Sequence, residues 1–180
     1  MRVITGKARG VQLKTPNGQL TRPTTDRVKE ALFSIIQFEI PGAAVLDLFG
    51  GTGQLGIEAL SRGAKSATFV DAREEACKLI RENLKRTKLE QDAKVVRADY
   101  MDYLKRSQGT YQIIFLDPPY AEVFLENALK CITEIDILQS GGIIVAERPV
   151  GKDLPWEFEG YSRSRDYKYG STLLTIYRKA

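Results

Sequence analysis

The 180-residue chain has no histidine and only two cysteines. Without histidine there can be no histidine-ligated metal and no histidine general base. Cys77 and Cys131 each fall inside a helical apolar pattern, so they are expected as packing residues and not as a disulfide or metal pair. No apolar run approaches the roughly 20 residues that a membrane-spanning helix needs. The opening stretch, MRVITGKARG, carries no hydrophobic secretory core. Internal repeats and low-complexity segments are also lacking. What remains is an ordinary globular composition, 43% hydrophobic and 28% charged, long enough for one domain with a proper core. The expected protein is cytoplasmic, monomeric, metal-free and without membrane contact.

The net charge is only +4, but it is unevenly placed. Within residues 1–30, Arg2, Lys7, Arg9, Lys14, Arg22, Arg27 and Lys29 face only Asp26 and Glu30, whereas the other 150 residues nearly balance. A basic N-terminal segment suits a polyanion, because neutralising phosphates releases counterions. A solvated basic face would look the same.

Along the chain, Arg2–Thr5 and Val11–Lys14 read as short strands with turn residues at Gly6, Gly10 and Pro16-Asn17-Gly18, giving a basic β-hairpin. Pro23, Thr24 and Thr25 open a helix whose apolar positions Val28, Ala31, Leu32, Ile35 and Ile36 share one face. Short apolar runs then alternate with helices: Ala43–Leu48, Ala67–Val70, Lys94–Ala98, Ile113–Leu116 and Gly142–Ala146. Near-continuous apolar strands separated by helices predict a parallel sheet covered on both faces. Tyr161–Tyr167 and Ser171–Tyr177 predict an antiparallel hairpin finishing the sheet.

The first strand ends in Asp47-Leu48-Phe49-Gly50-Gly51-Thr52-Gly53-Gln54-Leu55-Gly56. Its last six residues match G-x-G-x-x-G, whose glycines allow a sharp turn and close backbone approach to a ligand, with helix amides facing an anion. Asp71 lies 20 residues beyond Gly51, where a ribose-binding acid is expected. These features indicate a nucleoside cofactor without separating NAD from S-adenosylmethionine. Two acids favour the latter. Asp47, just before the loop, suits an ammonium group and would sit badly beside a pyrophosphate; Asp99 ends the third strand, where adenine edges are often held. A tight turn with incidental strand-end acids is the plainer alternative.

Asp117-Pro118-Pro119-Tyr120 directly follows the fourth strand. This tetrapeptide is the signature of methyltransferases acting on planar exocyclic amines. Such an amine has its lone pair delocalised into the ring and is a poor nucleophile. The Asp117 carboxylate and the Pro118 carbonyl can accept its hydrogens and favour a pyramidal nitrogen. Pro118 and Pro119 fix φ and remove competing donors. Tyr120 can stack on a base drawn out of its helix. A rigid surface turn is the alternative without chemistry.

Taken together the motifs resemble the RsmD family, bacterial 16S rRNA guanine-N2 methyltransferases with a Rossmann-like class I methyltransferase fold. The resemblance spans nearly the whole chain: Arg2–Gly10, Thr21–Phe33, Asp47–Gly56 with Glu58–Ala64, Leu116–Tyr120 and Lys168–Thr172. The loop departs from the usual Phe-Ala-Gly-Ser-Gly, reading Phe49-Gly50-Gly51-Thr52-Gly53, and Asp71 replaces the usual glutamate. The resemblance implies an α/β fold with a mostly parallel seven-stranded sheet, a methyltransferase domain at 22–180 and a basic hairpin extension at 1–21. It implies that Thr21–Arg27, with Arg22 and Thr24, closes over the cofactor. Asp47, Phe49, Gly50, Gly51, Thr52 and Gly53 would line one side of that cofactor. Asp71, Ala72, Asp99, Tyr100 and Asp117 would complete its site. Arg2, Lys7, Arg9, Lys14 and Arg27 would meet the RNA, the helix 31 loop of 16S rRNA in the assembling or finished small subunit.

Three other readings compete. An adenine-N6 or cytosine-N4 methyltransferase shares the tetrapeptide, but usually carries a target-recognition domain for which 180 residues leave no room. An NAD-dependent oxidoreductase leaves Asp117–Tyr120 unexplained. A non-catalytic RNA-binding module has no need of two intact motifs.

Overall fold

Apolar runs without alternation can be buried only if both faces of their sheet are covered, and that is the architecture found. The computed structural model describes residues 1–16, 23–119, 121–151, 153–155 and 157–180, with side chains throughout these except at 23–25, 121 and 122. The elements run α1 (Pro23–Ile35), β1 (Ala44–Asp47), α2 (Gln54–Ser61), β2 (Ser66–Asp71), α3 (Glu74–Thr87), β3 (Ala93–Arg97), α4 (Tyr100–Arg106), β4 (Tyr111–Leu116) and α5 (Ala121–Ile135). Four strands follow: β5 (Leu138–Pro149), β6 (Glu157–Phe158), β7 (Tyr161–Tyr169) and β8 (Thr172–Lys179).

They form one sheet of order β3-β2-β1-β4-β5-β8-β7-β6. The first five strands are parallel, and β8, β7 and β6 close the sheet antiparallel. Successive strand residues point to opposite faces, so Val45, Ile113 and Ile143 pack with α1, α2 and α3, while Leu46, Ile114 and Ile144 pack with α4 and α5. Cys77 and Cys131 are both free and buried, one in each helical layer. The sheet has eight strands instead of the expected seven. The extra strand, β6, has two residues, too few to display a period-2 pattern. Among the described residues no helix is long and apolar enough to cross a membrane.

The N-terminal segment forms the expected hairpin only in part. Its strands meet in a single antiparallel bridge, Arg2 to Gln12, with the Val3 amide donating to the Val11 carbonyl, Gly10 to Val3 and Leu13 to Met1, while five further amides are engaged outside the arm. The Ile4 and Thr5 amides donate to the Glu58 carboxylate at 2.9 and 3.1 Å, the Ala8 amide to Ser61 Oγ, the Lys7 amide to the Ser61 carbonyl, and the Lys14 amide to Asn83 Oδ1. Val3, Ala8 and Leu13 enter the same core cluster as α1 and α2. Residues 1–16 thus form an arm bolted to α2 and α3.

Candidate functional site

The strand order reverses between β1 and β4, and in open α/β sheets ligands bind outside the carboxyl ends of strands at such a switch. A cleft of about 1550 Å³ opens there. It is walled by the ends of β1, β2, β3, β4 and β5, by the loop between β1 and α2, and by the arm.

The loop works as the glycine spacing suggests. Gly51 and Gly53 have φ of +58° and +83°, a region costly for side chains with a Cβ. Gly53 is the N-cap of α2 and has no side chain with which to cap; Asp47 does this from β1, its Oδ2 accepting the Gly56 amide at 3.1 Å. A Cβ at Gly56 would lie 2.4 Å from the Phe69 ring, so this glycine lets α2 sit close on β2. Among the described residues the Gln54 and Leu55 amides find no backbone acceptor, and the buried Gln54 Oε1 has no partner. The turn thus presents uncommitted donors and an acceptor beside the cleft.

Four carboxyls face the cleft from strand ends. Asp47 is only 1% exposed, and its carboxyl is pushed up to about 8 by burial, with Asp117 and Asp71 adding to the rise and the Gly56 amide opposing it. Burial likewise raises Asp117 to about 6. Asp71 accepts the Gly51 amide at 3.0 Å, then the backbone and guanidinium of Arg73. The fourth, Glu147 on β5, is raised to about 8 by burial and then by Asp117. Asp99 lines the rim while capping α4, its Oδ1 accepting the Met101 amide at 2.9 Å. On the floor Phe49, Tyr100 and Phe124 pack with centroids 5.1–6.2 Å apart. The donor set fits a ligand with an ammonium group, a ribose diol and a flat base: buried acids for the cation, Asp71 beside the glycine turn for the diol, aromatics for the ring. Among the described residues no cluster of three or more acids or cysteines could hold a metal ion.

The structure brings Asp47, Phe49, Gly50, Gly51, Thr52, Asp71, Ala72, Asp99, Tyr100, Asp117, Pro118 and Pro119 into this one cleft. Gly53 turns the loop just behind it. Arg22 and Tyr120 lie outside the described residues, as does the side chain of Thr24, whose backbone lies in the first turn of α1. Arg2, Lys7, Arg9 and Arg27 are exposed. Lys14 is exposed as well, and it also lines the cleft and pairs with Glu82. Sequence reasoning missed Gln54, Arg73, Phe124 and Glu147. Gln54 stood inside the quoted loop and Phe124 inside a helix face; for Glu147 the one signal was a lone acid after an apolar strand.

Comparison with known proteins follows the same lines. The family model described as conserved hypothetical protein 95 matches residues 1–178. YlbH of Bacillus subtilis is 43% identical over 183 residues, covering 99% of this chain and 99% of that protein. Ribosomal RNA small subunit methyltransferase D of Escherichia coli K12 is 33% identical over 179 residues, covering 99% of this chain and 90% of that one. The solved structure of Escherichia coli yhhF superposes with a TM-score of 0.90 at 31% identity, over 99% of this chain and 97% of that chain.

Proposed function

We propose that this chain, which belongs to the RsmD family of ribosomal RNA small-subunit methyltransferases (conserved hypothetical protein 95), transfers a methyl group from S-adenosylmethionine to the exocyclic N2 of a guanine in 16S rRNA. The observation that carries the reading is the position of Asp117 and Pro118. They stand at the end of β4 in the same cleft as the glycine turn and Asp71, so a nucleoside cofactor and a flat amine can meet there.

When bound, the cofactor supplies an electrophilic methyl on its sulfonium. Asp47 and Gln54 suit its amino-acid end, Gly51 and Asp71 its ribose, and Phe49, Tyr100 and Phe124 its adenine. The Asp117 carboxylate and the Pro118 carbonyl accept the two amine hydrogens and free the nitrogen lone pair. As the nitrogen gains its methyl, the displaced proton passes to Asp117, which burial has made a stronger base than an ordinary aspartate. Rate comes from holding nitrogen and methyl in line. Tyr120 is the proposed stacking partner of the extruded base.

Arg2, Lys7, Arg9 and Arg27 would contact phosphates, which position an RNA without reading its sequence. The substrate would be the helix 31 loop within the small subunit or its assembly intermediate. Incubating unmodified small subunits with labelled S-adenosylmethionine and digesting the RNA to nucleosides tests the reading. N2-methylguanosine is the expected product; N6-methyladenosine or N4-methylcytidine would replace guanine with another amine-bearing base.

A further inference from the structure

Strands β4 and β5 run parallel with Phe115 beside Val145 and Leu116 beside Ala146. The next residues on each, Asp117 and Glu147, therefore emerge side by side, on strands spaced about 4.8 Å apart. Both line the cleft and both are half-buried. On its other flank Glu147 pairs with Leu174 of β8, which is fully buried and brings no polar side chain. The nearest cation along the strand, Arg148, is turned into the opposite layer, where it meets Thr175 Oγ1 at 3.0 Å and Asp166 Oδ2 at 3.1 Å.

Half-buried carboxyls with no hydrogen-bond donor among the described residues are costly to keep, and this pair forms two adjacent acceptors facing a base-sized space. Among amine-bearing bases only guanine offers the matching edge, an N1–H donor beside the N2 amine. Adenine and cytosine each place a bare ring nitrogen, an acceptor, next to their amine. Resting on the guanine-N2 reading above, we infer that Glu147 accepts the N1–H of the target guanine while Asp117 and the Pro118 carbonyl hold its amine, so that Glu147 selects guanine. Burial raises Glu147, with Asp117 adding to the rise, and arriving N–H donors offset both effects and favour the ionised form.

The test uses small subunits reconstituted with 16S rRNA bearing either guanine or 2-aminopurine at the target position. 2-Aminopurine keeps the 2-amine but has a bare N1. The wild-type enzyme should show a kcat/KM about 10- to 100-fold lower on 2-aminopurine, the loss expected when a buried acceptor faces an acceptor. Glu147→Gln, whose side-chain NH2 can donate to the bare N1, should narrow or reverse that ratio. A cooperative thermal melt near that of the wild type shows that the near-isosteric variant is folded. Equal discrimination by the two proteins, or equal use of both bases by the wild type, overturns the role of Glu147 while leaving N2 methylation intact. Wild-type enzyme that leaves no N2-methylguanosine on guanine-bearing subunits overturns the N2 reading, and this inference with it.

Discussion

Replacing Glu58 by glutamine tests how the N-terminal arm is held against the domain. Glu58 is fully buried on α2, and it accepts the Ile4 and Thr5 amides and Arg62 Nε at 2.9–3.1 Å. Its Oε2 lies 3.7 Å from Lys29 Nζ, and Lys29 is itself only 2% exposed. Glutamine preserves the shape but turns one oxygen into a donor facing a backbone N–H. It also strips the counter-charge from Lys29. Burial already holds that ammonium below the ordinary lysine range, with Glu58 the largest opposing influence, so the variant lowers it further. Removing one partner of a buried ion pair costs about 3–5 kcal/mol, a large share of the roughly 5–15 kcal/mol that stabilises a domain. At this chain length the melting midpoint should fall by about 6–20 °C, read by circular dichroism at constant pH. Adding Lys29→Met should recover part of the loss, because it removes the stranded cation. Since Met1 and Lys14–Pro16 wall the cleft, affinity for S-adenosylhomocysteine should drop in the single variant too. A midpoint within about 2 °C of the parent, with unchanged affinity, would refute the idea that this carboxylate anchors the arm.

Asp117→Ala should reduce methyl transfer by at least about 100-fold, the scale of a missing proton acceptor, while S-adenosylhomocysteine still binds in calorimetry; preserved turnover would remove the carboxylate from the chemistry. Asp47, held up by burial and then by Asp117 and Asp71, keeps its proton up to about pH 8 in the folded chain but releases it near pH 4 when unfolded. The unfolded chain then binds fewer protons across that window, so stability contributed by this group is present below about pH 4 and is lost as pH rises toward 8. Asp47→Asn should flatten the fall in melting midpoint between pH 5 and 8, and an unchanged slope would place its source elsewhere. Reversing Lys7 and Arg9 to glutamate should weaken RNA binding and lower the salt slope by about 0.7–0.9 for each phosphate no longer neutralised; identical slopes would take the arm out of the RNA interface.

Features of the site written in consecutive residues were legible in the sequence. The glycine turn, the acids closing β1 and β2, and Asp117-Pro118 each carry their meaning in local order, and all meet in the cleft. Features made by register or by distant pairing were not. Glu147 gains its importance only when Leu116 and Ala146 fall side by side, which no local pattern states. The seven-residue α4 is too short for a clear apolar period, and Asp99, expected at an adenine edge, also serves as its cap. The arm was expected to pair with itself because its residues favour strands; it does so between Val3 and Val11 and between Leu13 and Met1, but five of its amides go to Glu58, Ser61 and Asn83, residues 53 to 69 positions away. The cluster in which buried Arg148 and Arg163 meet Asp153 and Asp166 is equally silent in the sequence, since its members come from two strands and a loop.

Asn83 gives this assembly a mechanical property. Its side-chain amide donates to the Lys14 carbonyl at 3.0 Å and to the Thr52 carbonyl at 2.9 Å, while its oxygen takes the Lys14 amide at 2.7 Å. One buried asparagine therefore rivets the basic arm to the glycine turn, so neither can shift without dragging the other. A strand of RNA tugging on the arm would be felt at the turn, and a turn tightened by its ligand would stiffen the arm.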